Sequence, residues 1–335
     1  MTATCGHALD ALELPALVKV SDTLYVAAFQ LMKLLPARHI IESGIAEGLI
    51  GPDTHVVETS SGTFALGLAL VCSRHRLRLT IVGDGAIDVA LRRKLEVLGA
   101  RVIIVDKPKE RGGIQQARLD VVHDLLARDS GAFWPAQYDN PKNPEAYEKL
   151  LPRFEPAGLP AIDVLIGPVG SGGSMCGLTR ALRRVRPALR AVAVDTHGSV
   201  LFGHPDRPRR LRGLGNSITP GNLDHALFDE VHWVSAEDAF RCMVALYRET
   251  GLFMGATSGA AFLVARWQAR VRQERVLCIL PDEGARYLAD FIAWSAADAA
   301  LANEPVTARF GEVTDGTWSR LAWNRATLQE MRQHG

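Results

Sequence analysis

Apolar positions along the chain follow two alternating patterns. Short runs rich in Val and Ile recur, and such runs are typical of strands buried on both faces. These predicted strands cover residues 55–58, 79–82, 102–105, 164–166, 191–194 and 276–280. Helix-length stretches with apolar residues three and four positions apart lie between them, at 89–98, 119–126, 236–247 and 260–272. The alternation predicts an α/β fold with mostly parallel sheets covered by helices on both faces.

The length of the chain predicts more than one domain. Its 335 residues exceed what one hydrophobic core normally serves, so we expect two domains around a shared cleft. A loop-like stretch at 137–144, rich in Asn and Pro, is the candidate crossing. We therefore place an N-terminal domain at 1–145 and a C-terminal domain at 146–300. The first strands of the chain can join the sheet of the C-terminal domain. Residues 301–335 form a predicted tail that docks on the domain or contacts another subunit.

Composition and charge exclude several classes of partner. A formal net charge of +1 leaves no basic surplus for nucleic acid and no acidic tract. The longest apolar stretches are too short for a bilayer, and the N-terminus lacks a signal-peptide pattern, so we expect a cytoplasmic protein without membrane partners. The cysteines are odd in number and form no CxxC pair, which predicts reduced, mostly buried thiols and no metal site. They are Cys5, Cys72, Cys176, Cys242 and Cys278.

A glycine-rich turn after the predicted strand 164–166 is a candidate phosphate site. It comprises Gly170, Ser171, Gly172, Gly173 and Ser174, and an amphipathic helix over 175–184 follows it. A helix start presents several N–H groups and a positive dipole end to one point, and glycines let the backbone approach an anion closely. A tight packing turn is the alternative interpretation.

A dinucleotide site is a second alternative for this turn. Asp195 ends the next predicted strand about twenty residues on, where a ribose ligand would stand. The glycines depart from GxGxxG, however, because Met175 occupies the place of the third glycine. The pattern therefore favours a single phosphate.

A second small-residue loop follows the strand that ends at Glu58. It contains Ser60, Ser61, Gly62, Thr63 and Phe64, and an apolar helix over 66–72 follows. Hydroxyl and N–H groups at a helix start suit an anion such as a substrate carboxylate. Taken alone, the loop is equally well explained as an N-cap.

Taken together, five motifs in order make the chain resemble the fold-type II pyridoxal-phosphate (PLP) enzymes, which include cysteine synthase and cystathionine β-synthase. Residues 60–65 are similar to that family's T-S-G-N-T-G, and residues 170–174 to its G-T-G-G-T. Segments similar to Q-F-x-N-P-x-N-P, G-I-S-S-G-A-A and L-P-x-x-G-x-R-Y-L stand at 137–144, 255–261 and 280–288. The resemblance spans residues 30–290 and implies two three-layer α/β/α domains with mostly parallel sheets, as in the tryptophan synthase β-subunit.

Within the family, residues 36–44 and 195–203 look like those of synthases that join O-phosphoserine to glutamate in siderophore assembly. Aligning on that pattern puts Lys33 at the position of the lysine that holds the cofactor and carries the α-proton. The surrounding residues depart from the family's N-P-x-x-S-x-K-D-R, since Lys33 has neither the preceding serine nor the following Asp-Arg.

The resemblance implies roles for the remaining motif residues. Gly170, Ser171, Gly172, Gly173 and Ser174 would bind the cofactor phosphate. Thr63 stands where the family has an asparagine that bonds the cofactor's phenolic oxygen, and Thr257 stands at the serine that faces the pyridine nitrogen. Ser60, Ser61, Gly62, Thr63 and Phe64, with Gln137, would bind the substrate carboxylate.

The implied activity is β-replacement on O-acetyl- or O-phospho-L-serine through an aminoacrylate intermediate, adding an amine, a thiol or sulfide. The resemblance further implies small amino-acid substrates, a homodimer, a movable subdomain at about 78–126 and a place in amino-acid or siderophore biosynthesis. Two alternatives remain at this point: a catalytically altered member that binds a ligand without turnover, and a nicotinamide-dependent oxidoreductase. An arginine-rich run at 207–212 would select an acidic acceptor or a phosphorylated donor, or is a solvated loop.

Overall fold

The computed structural model describes residues 6–110, 112–154, 159–211, 213–296, 302–313 and 315–334, so Cys5 and Arg212 lie outside the described residues. The described residues form two compact units. The first unit takes those up to Leu14, those of Leu31–Ala146 and those of Pro220–Asn222. The second unit takes Pro15–Gln30 and the described residues of Tyr147–Thr219 and Leu223–Gly335.

Strands and helices alternate along most of the described chain. The strands are β1 (Ala16–Lys19), β2 (Leu24–Ala28), β3 (His55–Thr59), β4 (Arg78–Asp84), β5 (Arg101–Val105), β6 (Ala132–Phe133), β7 (Val164–Pro168), β8 (Arg190–Thr196), β9 (Glu230–Val234), β10 (Val276–Leu280), β11 (Val306–Thr307) and β12 (Ser319–Ala322). The α-helices are α1 (Ala8–Leu12), α2 (Leu34–Ala46), α3 (Thr63–His75), α4 (Val89–Val97), α5 (Gly113–Arg128), α6 (Lys142–Glu148), α7 (Leu151–Phe154), α8 (Gly173–Val185), α9 (Ala236–Thr250), α10 (Ala256–Arg272), α11 (Leu288–Ser295) and α12 (Arg325–His334).

The first unit is built on a four-stranded parallel sheet in the order β5-β4-β3-β6. Its core contains buried aliphatic side chains of β3, β4 and the facing sides of α2 and α3. The two helices approach closely at Gly67, where a Cβ atom would stand 3.0 Å from the backbone oxygen of Lys33. A larger residue at that position would push the start of α2 away from α3.

The second unit is built on an eight-stranded sheet in the order β1-β2-β10-β7-β8-β9-β12-β11. Its five central strands, from β2 to β9, are mutually parallel, and their covered faces explain the near-continuous apolar runs of β7, β8 and β10. The last strands, β11 and β12, extend this sheet, and β12 runs antiparallel to β9. The segment predicted as a tail therefore docks on the second unit.

The predicted α/β architecture with mostly parallel sheets is confirmed, and all six predicted strands are present. Strand β4 extends beyond its predicted end at residue 82, because Gly83 and Asp84 continue it and pair with β5. Strand β9 was not predicted, because Glu230 and His232 interrupt its apolar run. Without a continuous apolar run, the sequence lacks the pattern by which a buried strand is identified. Both are tolerated inside because Glu230 accepts a hydrogen bond from His232 and pairs with three arginines: Arg190, Arg272 and Arg320.

Cys72, Cys176, Cys242 and Cys278 are all free and buried, as predicted. No helix in the described ranges is both long enough and apolar enough to cross a membrane.

Candidate active site

The small-residue loop of the first unit connects β3 to α3, as the sequence predicts. Ser60 is buried, and its hydroxyl accepts hydrogen bonds from the backbone N–H groups of Gly62 and Ala65, which shapes the start of α3. Thr63 opens the helix and is partly exposed. The side chain of Phe64 is 1% exposed and packs in the hydrophobic core. Only the backbone of Phe64 is therefore suited to contact a substrate carboxylate.

A fully buried carboxyl group, Glu58, holds this loop to the segment that carries Gln137. Glu58 accepts hydrogen bonds from the backbone N–H groups of Thr59 at 2.7 Å and Gln137 at 3.1 Å, and from the indole N–H of Trp134 at 3.2 Å. Burial raises the pKa of Glu58 to about 7, although these donors favour the charged form. The Gln137 side chain in turn donates to the backbone oxygen of Thr59 at 2.9 Å. Glu58 thus fixes the position of Gln137 beside the loop.

A buried arginine also contacts the loop, from α5. Arg118 donates to the Ser61 hydroxyl at 2.6 Å and forms an ion pair with Asp84 at 2.9 Å. Its guanidinium also donates to the hydroxyl of Tyr138. Its Nε is buried and has no hydrogen-bond partner among the described residues. Because a buried donor without a partner is costly, this N–H group is suited to an anionic ligand.

Lys33 is the N-cap residue of α2 and is partly buried. Its backbone oxygen accepts from the N–H of Ala37 and lies against Gly67, one helical turn after Thr63 in α3. The backbone of Lys33 is therefore held firmly within the first unit, next to the helix that the small-residue loop begins.

The glycine-rich turn of the second unit connects β7 to α8. Gly172 is the N-cap of α8 with φ +80°, a conformation that favours glycine, and no side chain caps the first turn. Ser171 and Ser174 are partly exposed on either side of it, whereas Gly172 and Gly173 are buried. The first-turn N–H groups and the positive helix end together form a site that fits one phosphate group.

A second glycine segment of the same unit packs against this turn. The N–H of Gly215 donates to the Val169 oxygen at 2.9 Å, and a Cβ atom on Gly170 would stand 3.1 Å from the Gly213 oxygen. On the other side, a Cβ atom on Gly213 would stand 3.9 Å from the hydroxyl of Thr257, which opens α10 and is 2% exposed. The second unit therefore brings the turn, Gly213 and Thr257 together.

Asp195 does not serve as a ribose ligand. Its side chain is fully buried at the end of β8, against the backbone at Gly215, and burial raises its pKa to about 7. A carboxyl group without exposed surface has no access to a nucleotide hydroxyl. The dinucleotide interpretation of the turn is therefore left without the acidic residue that would bind the ribose.

Sequence reasoning missed Glu58, Arg118 and Gly213 as parts of these sites. Arg118 lies in the middle of an ordinary helix pattern, so no local signal identifies it. The closely spaced glycines Gly213 and Gly215 were a signal that could have been used. The described arginines of the run at 207–212 form ion pairs within the second unit: Arg207 with Asp315, Arg209 with Asp206 and Arg210 with Glu237.

Comparisons with known proteins agree with this geometry. Residues 27–282 match the family model described as "Pyridoxal-phosphate dependent enzyme". The chain is 40% identical over 261 residues to an N-(2-amino-2-carboxyethyl)-L-glutamate synthase of Ralstonia nicotianae, covering 76% of each protein. A synthase with the same name from Cupriavidus metallidurans is 38% identical over 265 residues, again with 76% of each covered.

Among solved structures, the O-acetylserine dependent cystathionine β-synthase of Helicobacter pylori is similar with a TM-score of 0.78 and 26% identity. The match covers 86% of this chain and 98% of that one. The nicotinamide alternative is thereby set aside, and the resemblance inferred from five motifs is confirmed. The chain belongs to the family of pyridoxal-phosphate dependent enzymes, in its cysteine-synthase-like, fold-type II branch.

Proposed function

We propose that this enzyme joins O-phospho-L-serine to the amino group of L-glutamate, releasing phosphate. Homology supports the reaction class, β-replacement on an O-activated serine. The observation that carries the choice of a phosphorylated donor is Arg118, a buried guanidinium beside Ser61 with an unpartnered N–H group. A doubly charged leaving group benefits from such a donor far more than a neutral acetyl ester does. The names of the curated relatives support glutamate as the acceptor.

The residues of the second unit fit the cofactor that the family requires. The glycine turn 170–174 would hold its phosphate, and Thr257 would face its pyridine nitrogen, where a hydroxyl leaves that nitrogen largely unprotonated. When bound, PLP withdraws electrons from the α-carbon of the amino acid and so makes its proton acidic. A weak electron sink suits β-elimination better than chemistry that needs a long-lived carbanion.

Residues of the first unit would carry the substrate chemistry. Backbone N–H groups of the loop 60–64, with Gln137, would bind the α-carboxylate, and Thr63 would donate to the cofactor oxygen. Lys33 would accept the α-proton on its Nζ atom as the Cβ–O bond breaks and phosphate leaves with the electron pair. The glutamate nitrogen then forms the new bond to Cβ and loses a proton, and Lys33 returns a proton to Cα.

A Gly172→Ala variant tests the phosphate site. A side chain at φ +80° costs about 1–2 kcal/mol. If the turn relieves this strain by changing conformation, the first-turn N–H groups leave the phosphate position, so we expect PLP affinity to fall by about tenfold or more. Gly48→Ala is the matched control, because Gly48 also has positive φ (+71°) but lies in open space in the first unit. Equilibrium titration of each apoprotein with PLP measures the effect. Equal losses of affinity in both variants would contradict the assignment.

A substrate matrix tests the proposed reaction. Holoenzyme is incubated with O-phospho- or O-acetyl-L-serine and, in turn, with glutamate, sulfide or homocysteine, and products are identified by mass. We expect phosphate release coupled to N-(2-amino-2-carboxyethyl)-L-glutamate formation to exceed every other combination. Preference for O-acetyl-L-serine with sulfide would show a cysteine synthase instead, and absence of any product would favour the altered, ligand-binding alternative.

We propose that the enzyme is a cytoplasmic homodimer that supplies a building block for siderophore biosynthesis. The resemblance of residues 36–44 and 195–203 to synthases of siderophore assembly supports the last point. We also propose that the chain passes from one domain to the other near residue 145, with the early strands of Pro15–Gln30 crossing into the C-terminal domain. A subdomain at about 78–126 would move during turnover.

A further inference from the structure

Two histidines and one aspartate converge in the second unit, and none of them has a role in the proposed reaction. One ligand atom from each of His197, His204 and Asp315 lies within 4.8 Å of the other two. His197 and His204 are on the segment that follows β8, and Asp315 lies between β11 and β12. We propose that these three residues bind a divalent first-row transition metal ion such as Zn²⁺.

The segment after β8 is folded back on itself, which brings the two histidines together. Gly198 has φ +77°, and its backbone oxygen accepts a hydrogen bond from the N–H of Arg207 at 3.0 Å. The imidazole ring of His204 consequently lies 5.9 Å from that of His197, centroid to centroid. His204 is also stacked on Trp233 of β9, with centroids 5.0 Å apart, so its ring orientation is fixed.

A close backbone approach brings the third ligand to the pair. Gly203 has φ +89°, and a Cβ atom there would stand 2.6 Å from the ring of Phe310, so only glycine admits the C-terminal segment here. Five residues later that segment carries Asp315, whose Oδ1 lies 3.8 Å from Nδ1 of His197. Its other oxygen, Oδ2, accepts from the Arg207 guanidinium. Such an outer partner commonly orients a ligating carboxylate.

The chemistry of the three groups selects the class of ion. Both imidazole rings are partly buried, and a metal ion binds imidazole in its neutral form. Both ring nitrogens of His197 are buried, and within the described residues they are approached only loosely, by the Thr317 backbone and by Asp315. Two imidazoles and one carboxylate suit Zn²⁺ or Co²⁺ rather than Mg²⁺, and they leave a coordination position for water. Metal–ligand distances of about 2 Å require the side chains to draw together by about 1 to 1.5 Å.

The test is calorimetric titration of tag-free holoenzyme with Zn²⁺. We expect one ion per chain, and we expect His204→Gln and Asp315→Asn each to weaken binding by about 100-fold or more. His55→Gln is the matched control, because His55 also pairs with an aspartate, Asp129 at 3.3 Å, but has no third metal-ligating group beside it in the part of the chain that the structure describes. It should bind Zn²⁺ like the wild type, and Mg²⁺ should bind to none of the proteins.

The melting temperature is a second measurement, and it separates loss of Zn²⁺ binding from poor folding of a variant. Asp315 is half exposed, so its replacement by Asn leaves the core intact. Zn²⁺ should raise the melting temperature of the wild type and of His55→Gln but not that of Asp315→Asn. The proposal is overturned if the wild type binds no Zn²⁺, or if both ligand variants bind it as tightly as the wild type does.

Discussion

A Lys33→Ala variant is expected to lose β-replacement activity by at least about 1000-fold, because we propose that Lys33 both holds the cofactor and acts as the general base, and a positioned general base contributes about 10² to 10⁴ in rate. After borohydride reduction, the wild type should carry PLP covalently on the peptide that contains Lys33, and the variant should carry none there. Peptide mass mapping and single-turnover assays with O-phospho-L-serine measure the two effects.

Lys94→Ala is the control for this experiment. Lys94 is exposed on α4 of the same unit, so its removal should leave both cofactor attachment and turnover unchanged. Covalent PLP on any lysine other than Lys33 in the reduced wild type would disprove the assignment. Such a result would also show that the altered residues around Lys33 mark a real displacement of the cofactor lysine.

An Arg118→Lys variant is expected to discriminate against the phosphorylated donor. Lysine retains the positive charge beside Asp84 but loses the planar fork and the Nε donor, so the buried carboxylate is not left without a cation. A hydrogen bond to a charged group contributes about 1.5–3 kcal/mol, so kcat/KM for O-phospho-L-serine should fall by about 10- to 100-fold. The value for O-acetyl-L-serine should change by less than about threefold, since a neutral ester gains little from this donor.

Arg93→Lys is the matched control, because Arg93 is a largely exposed arginine on α4 that pairs with Glu96. It should leave both kinetic values as in the wild type. If Arg118→Lys lowers kcat/KM equally for both donors, Arg118 supports the loop and does not select the leaving group.

Much of the fold could be predicted from the sequence, because the local apolar patterns match the strands and helices of the final architecture. Parallel strands covered on both faces demand continuous apolar runs, and β7, β8 and β10 have them. Strand β9 could not be predicted, because the arginines that allow Glu230 to be buried lie on β8, α10 and β12. Those partners are 40 to 90 residues away in sequence, and no window of local periodicity contains them.

The candidate site also has features that the sequence predicts and features that only the tertiary structure shows. The sequence by itself determined the family, because each glycine or small-residue turn must be encoded where the backbone adopts it, as at Gly172. The sequence also predicted the phosphate turn 170–174 and the loop 60–64. Only the tertiary structure decided that Phe64 packs in the core, that Glu58 holds Gln137, and that Arg118 reaches Ser61. It likewise decided that His197 and His204 meet Asp315. These side chains acquire their roles from contacts distant in sequence, whereas a turn carries its conformational requirement within a few adjacent residues.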